Sequence, residues 1–590
     1  MGGILFIILS NYFRVLSPQV SGYIIDEVIH QLQAKTTSTT KQYDWLVNYF
    51  VQFTKSQELT VSSLIIYCGI VLLVLAILGG FFMFLMRQTI IVMSRHIEYD
   101  QKNQLFAHYL KLDTSFYKVN ATGDLMNRIA EDVSRVRMYT GPALMYIINL
   151  TGTIGFSLYF MFKENALLSI YVIAPLPLLA ITIYYVNNLI NKKSEQLQES
   201  LSNLTSNAQE SYAGIRVIKS FVQEESQAHF FNEQTKIYQQ NATNLAKVEA
   251  IYFPSIALLI GLSTIIAIAV GCYMHLQNPA IVTAGTIASF VIYVNMLTFP
   301  VSAIGLTASM IQRAAASQKR LNEFLAIQPS NDFEHQKQIN ALEPLQELQF
   351  KEVYFTYEHT GINAIHNLST TINVGEKVLI IGKTGSGKTT LAQLLLKMFT
   401  HEKGAIYWNN QPIKNINTFN LRNKISYVPQ DVFLFSDDIK NNILFGTETN
   451  QPKLTVEAAA TKASIANEIK EFKLGFDTIV GERGVNLSGG QKQRISIARA
   501  LLRPADLYIF DDCLSAVDVK TEKNIALELG DFLQEKTAIF ISHRVLASFS
   551  FSKILVLENG TIVEQGTHDE LMQLNGYYAE TYIAQTTTSH

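Results

Sequence analysis

An all-α membrane half followed by a soluble α/β half is the architecture expected of this sequence, on three observations. Long uncharged stretches collect before about residue 312. Charged residues return densely after that point. Within the second half, the apolar run 377–381 leads through a glycine-rich loop into residues 391–397, which have helical spacing.

The bulk numbers agree with this division. A chain of 590 residues is too long for one hydrophobic core, so more than one domain is expected. A hydrophobic content of 48% and a mean hydropathy of +0.15 are high for a wholly soluble chain. The net charge of -2 carries no nucleic-acid signal, and no nucleic-acid partner is expected. Cys68, Cys272 and Cys513 show neither metal spacing nor a disulfide framework and read as packing residues. The N-terminus has no basic n-region and no small-residue cleavage site, so no removable signal peptide is expected.

Six spans can be counted. Residues 1–25 form the least clean one, broken by Arg14 and Pro18 and closed by Asp26 and Glu27. The polar stretch 31–58, with its run from Lys35 to Lys41, reads as a loop. Residues 59–86 carry no charge, enough to cross about 30 Å of hydrocarbon. Residues 138–162 and 165–191 form a tight hairpin separated by Lys163 and Glu164. Residues 250–312 contain no Asp, Glu, Lys or Arg and hold two spans turning near His275–Pro279. Lys and Arg concentrate between spans 2 and 3, between 4 and 5, and after 6, which places those segments in the cytoplasm. Two of these segments, 87–137 and 192–249, are long and helix-friendly, so the spans should continue beyond the bilayer as stalks. Arg14 is the one Asp, Glu, Lys or Arg inside a span, and such a charge is a functional candidate by default. The expected domains are therefore 1–325 (membrane), 326–346 (linker) and 347–585 (soluble α/β).

The glycine-rich loop is Gly382, Lys383, Thr384, Gly385, Ser386, Gly387, Lys388, Thr389 and Thr390, which fits G-x-x-x-x-G-K-[ST]. Strand, loop and helix form the context this motif needs, because backbone N–H groups and the helix start then surround phosphate oxygens. Lys388 is placed to reach the β- and γ-phosphates, and the Thr389 hydroxyl to ligate Mg²⁺. Downstream, Leu507-Tyr508-Ile509-Phe510 is an apolar strand ending in Asp511 and Asp512. A carboxylate at such a strand end holds Mg²⁺ in phosphate-loop enzymes, a role that falls to Asp511. Asp512 is then placed to orient or deprotonate the attacking water; the bland alternative is a solvated acidic turn. Ser488, Gly489, Gly490 and Gln491 open a helix over 495–502, a second anion-binding helix start. One triphosphate does not need two such devices in one chain. Their coexistence is resolved if they face each other across two chains.

The motif LSGGQ, about 100 residues after a phosphate loop and shortly before an Asp-ended strand, resembles ATP-binding cassette (ABC) transporters. The resemblance covers nearly the whole chain, and six spans before one cassette look like an exporter half-transporter similar to multidrug and lipid-flipping exporters. It implies ATP and Mg²⁺ as cofactors and a second half-transporter as partner, in a homodimer or heterodimer. It implies a hydrophobic or amphipathic substrate in contact with membrane lipid, and a multi-pass location in the cell membrane. It also implies roles for single residues. Tyr357 would stack on adenine, although a strand tyrosine is by default packing. Gln430, in Val428-Pro429-Gln430, would touch Mg²⁺ and water. His543, in Ile541-Ser542-His543-Arg544, would contact the γ-phosphate. Gly481-Glu482-Arg483-Gly484 resembles a loop meeting the partner's stalks, and Ser515-Ala516-Val517-Asp518 the loop that crosses the dimer. The stretches 122–128 and 213–221 resemble the two coupling loops that seat on a cassette.

The family pattern is broken in two places. Asp512 stands where the family usually has Glu, one methylene longer, as in one subunit of some heterodimeric exporters. And Met1 begins almost inside span 1, where an amphipathic helix usually precedes it. The expected activity is ATP-driven export by alternating access. Alternatives are a lipid A-type flippase, a peptide exporter and an ATP-gated channel; no cysteine-peptidase domain of the kind common in peptide exporters precedes span 1.

Overall fold

The computed structural model describes residues 2–33, 41, 43–57, 60–329, 342–447, 454–481 and 484–588. Most of the expected linker and the pair Glu482-Arg483 therefore lie outside the described residues. The chain divides into two compact units, one of residues 1–107 and 125–326, the other of residues 108–124 and 327–590. The stretch His108–Asp124, which takes in the end of the second long apolar helix and the start of the third, thus groups with the C-terminal half.

Among the described residues, six helices, wholly or mostly in the first unit, are long and apolar enough to cross a membrane: Gly2–Leu32, Val61–Lys111, Thr122–Glu164, Ala166–Ala213, Glu224–Gln277 and Ala284–Leu325. Their lengths extend well past a bilayer: 54 residues at about 1.5 Å each is roughly 80 Å against about 30 Å of hydrocarbon. The third span is not a single α-helix. It contains π-helical turns at Arg128–Asp132 and Tyr139–Ala143. Pro142 sits in the second of these and lacks the N–H that a regular turn would use. Arg14 is exposed on the first helix.

One expectation is corrected. The stretch read as a loop contains the helix Trp45–Ser56. Asp44 caps it by accepting from the Leu46 N–H, and Val47, Val51 and Thr54 are buried at helical spacing. The polar run upstream masked this short apolar face.

The first and sixth spans approach closely where Gly22 meets Gly285. A Cβ on Gly285 would overlap the Gly22 carbonyl oxygen and lie 2.5 Å from the Asp26 carboxyl carbon. The Gly285 N–H donates to Asp26 Oδ1 at 2.7 Å and the Thr283 hydroxyl to Oδ2 at 2.6 Å. Lys41 joins the same cluster, 2.8 Å from Asp26 and 3.4 Å from Glu164. Glycine is thus required by the helix crossing, as is common where membrane helices touch. Gly285→Ala is expected to force the helices apart and cost about 2–3 kcal/mol, seen as a lower melting temperature of the detergent-solubilised protein. An unchanged melting temperature would show that the crossing relaxes freely.

The second unit contains two sheets. Strands β1 (Glu347–Tyr357), β2 (Ile362–Asn373), β4 (Lys403–Trp408) and β5 (Gln411–Pro412) form one in the order β2-β1-β4-β5. Strands β3 (Lys377–Gly382), β6 (Ile425–Val428), β7 (Leu507–Asp511), β8 (Thr537–Ser542), β9 (Lys553–Glu558) and β10 (Thr561–Gly566) form the other, in the order β10-β9-β3-β8-β7-β6. The pairings from β9 through β6 are parallel; only β10 on β9 is antiparallel. Parallel strands covered on both faces read as continuous apolar runs, and β7 and β8 are buried at every residue. Alternate residues feed two cores: Leu379, Ile381 and Phe510 on one face, Val378, Ile380 and Ile509 on the other.

Candidate nucleotide site

The site lies at the C-terminal edge of the parallel strands. Because β3, β8, β7 and β6 are neighbours and point the same way, their outgoing loops meet at one edge. The glycine-rich loop leaves β3, His543 follows β8, Asp512 follows β7, and Gln430 lies two residues beyond β6. An open cleft of about 530 Å³ is lined by Tyr357, Ile362, Ala364, residues 384–390, Gln430, Asp511, Asp512, Ile541, Ser542 and His543.

The loop is shaped by its glycines and braced by its lysine. Gly387 has φ 96°, a conformation other residues resist, and a Cβ there would overlap the Ala364 carbonyl oxygen. The helix Lys388–Leu395 starts directly after it. Lys388 Nζ donates to the carbonyls of Gly382 and Lys383, each at 2.8 Å. Burial pushes the Lys388 pKa down, opposed by the charges of Asp512 and Asp511. Lys383 itself points to Glu558, 3.6 Å away. The Ser386 hydroxyl is buried with no partner among the described residues.

Asp511 has no exposed surface, and burial raises its pKa. Hydrogen bonds from Thr389 and Tyr427 oppose that shift. The Thr389 hydroxyl donates to Asp511 Oδ1 at 3.1 Å, and the Tyr427 hydroxyl to Oδ2 at 3.1 Å. Asp512 has φ 45°, unusual for a residue with a side chain, and its N–H donates to the Ile541 carbonyl at 2.8 Å. Its Oδ1 lies 2.9 Å from His543 Nδ1. The Tyr357 ring packs edge-on against Phe355 and Phe399, and its hydroxyl reaches Thr390 at 3.0 Å and Gln393 at 3.2 Å. The ammonium of Lys118, on the short helix Thr114–Val119, sits 4.6 Å from the Tyr357 ring centre and 4.7 Å from that of Phe399. Neither Lys118 nor Tyr427 was singled out in the sequence. The signal for Tyr427 was its place just before Val428-Pro429-Gln430; for Lys118 there was none.

Ser488, Gly489, Gly490 and Gln491 do not line this cleft. They open the helix Gly489–Leu502, which begins six residues earlier than expected. Ser488 and Gln491 form a reciprocal capping box. The Gln491 side chain also donates to Glu468 at 3.0 Å, and Arg494 pairs with the same carboxylate at 2.5 Å. Gln493 ties this helix to the following loop by donating to the Ser515 hydroxyl and accepting from the Ala516 N–H, both at 3.0 Å.

Comparison with known proteins decides the family. Residues 1–301 match the model for the ABC transporter transmembrane region, and residues 365–515 match the ABC transporter model. The chain belongs to the ABC transporters. A probable multidrug resistance ABC transporter ATP-binding/permease protein, YheI of Bacillus subtilis, is 36% identical over 90% of each chain. The multidrug resistance-like ATP-binding protein MdlA of Escherichia coli is 30% identical, over 99% of this chain and 94% of that protein. An ATP-dependent lipid A-core flippase of Pseudomonas fluorescens is also 30% identical, over 97% and 96%. In fold, the ATP-bound structure of a bacterial Atm1-family ABC exporter superposes with a TM-score of 0.77, covering 99% of this chain and 97% of that one at 24% identity. As an ABC transporter, this chain is a multi-pass membrane protein with a cytoplasmic cassette that binds ATP and couples its hydrolysis to transport.

Proposed function

We propose that this ABC transporter is one half of a dimeric exporter that moves a hydrophobic or amphipathic substrate across the membrane. The observation that carries the dimer is the place of Ser488–Gln491. These residues form a well-capped helix start, yet they stand outside the cleft that gathers the phosphate loop. A second chain's Ser488–Gln491 would close over the phosphates held by this chain's loop.

In this reading Lys388 and the backbone N–H groups of residues 384–390 hold the phosphates, and Tyr357 offers its ring to adenine. The residues present fit a Mg²⁺-bound triphosphate, because the buried Ser386 hydroxyl has no partner among the described residues and the Thr389 hydroxyl lies beside the Asp511 carboxylate, a hard oxygen donor set. Thr389, Asp511 and Gln430 would hold Mg²⁺, which would supply neutralisation of the phosphate charge. Asp512 accepts a hydrogen bond from the attacking water and draws off its proton, while His543 holds Asp512 in place and faces the γ-phosphate.

The relatives named above divide between multidrug proteins and lipid A-core flippases, so substrate class is the next question. Reconstitution in liposomes separates the two: ATPase stimulated by lipid A-type lipids supports lipid flipping, and stimulation by hydrophobic cationic drugs supports drug export. Substrate flux down a gradient without ATP turnover would overturn the exporter reading in favour of a channel. Asp512 in place of the usual Glu favours a second arrangement, a heterodimer in which the partner chain supplies the faster site. Purification from native membranes answers this by showing whether one or two half-transporters co-elute.

A further inference from the structure

We infer that Tyr427 is a positioning residue for the Asp511 carboxylate, and that it ties the root of the Gln430 loop to the Mg²⁺-binding edge of the cleft. The inference rests on the reading that this cleft binds Mg–ATP.

Asp511 is fully buried, and a buried carboxylate is costly unless donors meet it. Each of its oxygens receives one hydroxyl, Thr389 on Oδ1 and Tyr427 on Oδ2. The two donors are not equivalent. Thr389 belongs to the phosphate loop, and its oxygen is itself placed to meet the metal. Tyr427 stands outside the phosphate loop and meets the carboxylate from the neighbouring strand.

The sheet register explains why a residue of β6 can do this. Tyr427 pairs with Ile509 on parallel β7, and Asp511 lies two residues further on, on the same face as Ile509. Ser426, one residue earlier, projects to the opposite face and donates to the Ala500 carbonyl at 2.8 Å. The tyrosine hydroxyl is therefore aimed at Asp511 by the strand itself. With one donor on each oxygen, the carboxylate cannot rotate without breaking a hydrogen bond. Its orientation toward the metal is thus set before Mg²⁺ arrives.

The same residue begins the segment Tyr427-Val428-Pro429-Gln430. Two residues separate the tyrosine from Gln430, and one is a proline with its φ fixed by the ring. A shift at Gln430 is then felt at Tyr427 and, through one hydrogen bond, at Asp511. Tyr427 gives this chain a mechanical link between the Gln430 loop and the metal site that does not pass through the nucleotide.

The test is equilibrium binding of a fluorescent ATP analogue to the purified full-length chain, with Mg²⁺ titrated and, separately, with EDTA. Tyr427→Phe removes one oxygen and leaves the ring. The Mg²⁺ concentration giving half-maximal nucleotide binding is expected to rise about tenfold, the size of one hydrogen bond to a charged group. Binding in EDTA is expected to stay within twofold of wild type. Tyr427→His keeps a ring N–H and is expected to recover part of the Mg²⁺ response. Equal Mg²⁺ midpoints for wild type and Tyr427→Phe would overturn the inference. So would an equal loss of binding in Mg²⁺ and in EDTA, which would mark Tyr427 as a shape residue only. A wild-type chain that binds no ATP analogue at all would overturn the nucleotide-site reading as well.

Discussion

Lys388→Ala is expected to lower ATPase activity by about 10²-fold or more, the scale of removing one positioned charge-stabilising donor, with nucleotide binding lost in parallel. Two effects add. The ammonium braces the loop by bridging the Gly382 and Lys383 carbonyls, and the same group is the one lysine or arginine side chain among the residues lining the cleft. Its removal takes away the ammonium charge that faces Asp511 and Asp512. Lys388→Arg should restore little, because a planar guanidinium on a longer stem does not fit the gap spanned by a single ammonium. Binding of a fluorescent ATP analogue and phosphate release by the purified protein measure both parts. Turnover within threefold of wild type would remove Lys388 from the phosphate site.

Substitutions at Asp512 are expected to move the rate in opposite directions. Asp512→Asn should lower phosphate release by the purified homodimer about 10²-fold, the usual weight of a positioned general base. Asp512→Glu should raise it about tenfold. The reason is reach: Asp512 is held by its own N–H on Ile541 and by His543 on Oδ1, so it cannot advance toward the water by moving its backbone. A side chain one methylene longer extends past those anchors. If Asp512→Asn leaves the rate unchanged, Asp512 has no catalytic role. The chain would then serve chiefly by lending Ser488–Gln491 to a partner whose own site turns over.

Much of the architecture could be read along the chain, and the reasons are physical. Uncharged stretches of membrane-spanning length at residues 59–86 and 250–312 have few alternatives in water. The β3 run and the glycine-rich loop announce themselves because their chemistry demands fixed residue types at fixed spacing. Trp45–Ser56 was missed because a short amphipathic helix beside a polar run gives a weak periodic signal, and its burial depends on what packs over it. Gly22 and Gly285 gave no sign of being partners, since a helix crossing pairs residues hundreds of positions apart.

The order of residues alone determined six apolar stretches of spanning length, a glycine-rich loop after an apolar strand, and two carboxylates at the end of another strand. Each depends on local composition or on a motif contained in one stretch. Sheet order was needed to bring Lys388, Gln430, Asp511 and His543 to one edge, because only parallel pairing of β3, β8, β7 and β6 points their loops the same way. Only the fold, too, turned Tyr427 toward Asp511 and set Ser488–Gln491 outside the cleft. Those placements follow from strand register and helix packing, which are contacts between distant residues that no local pattern encodes.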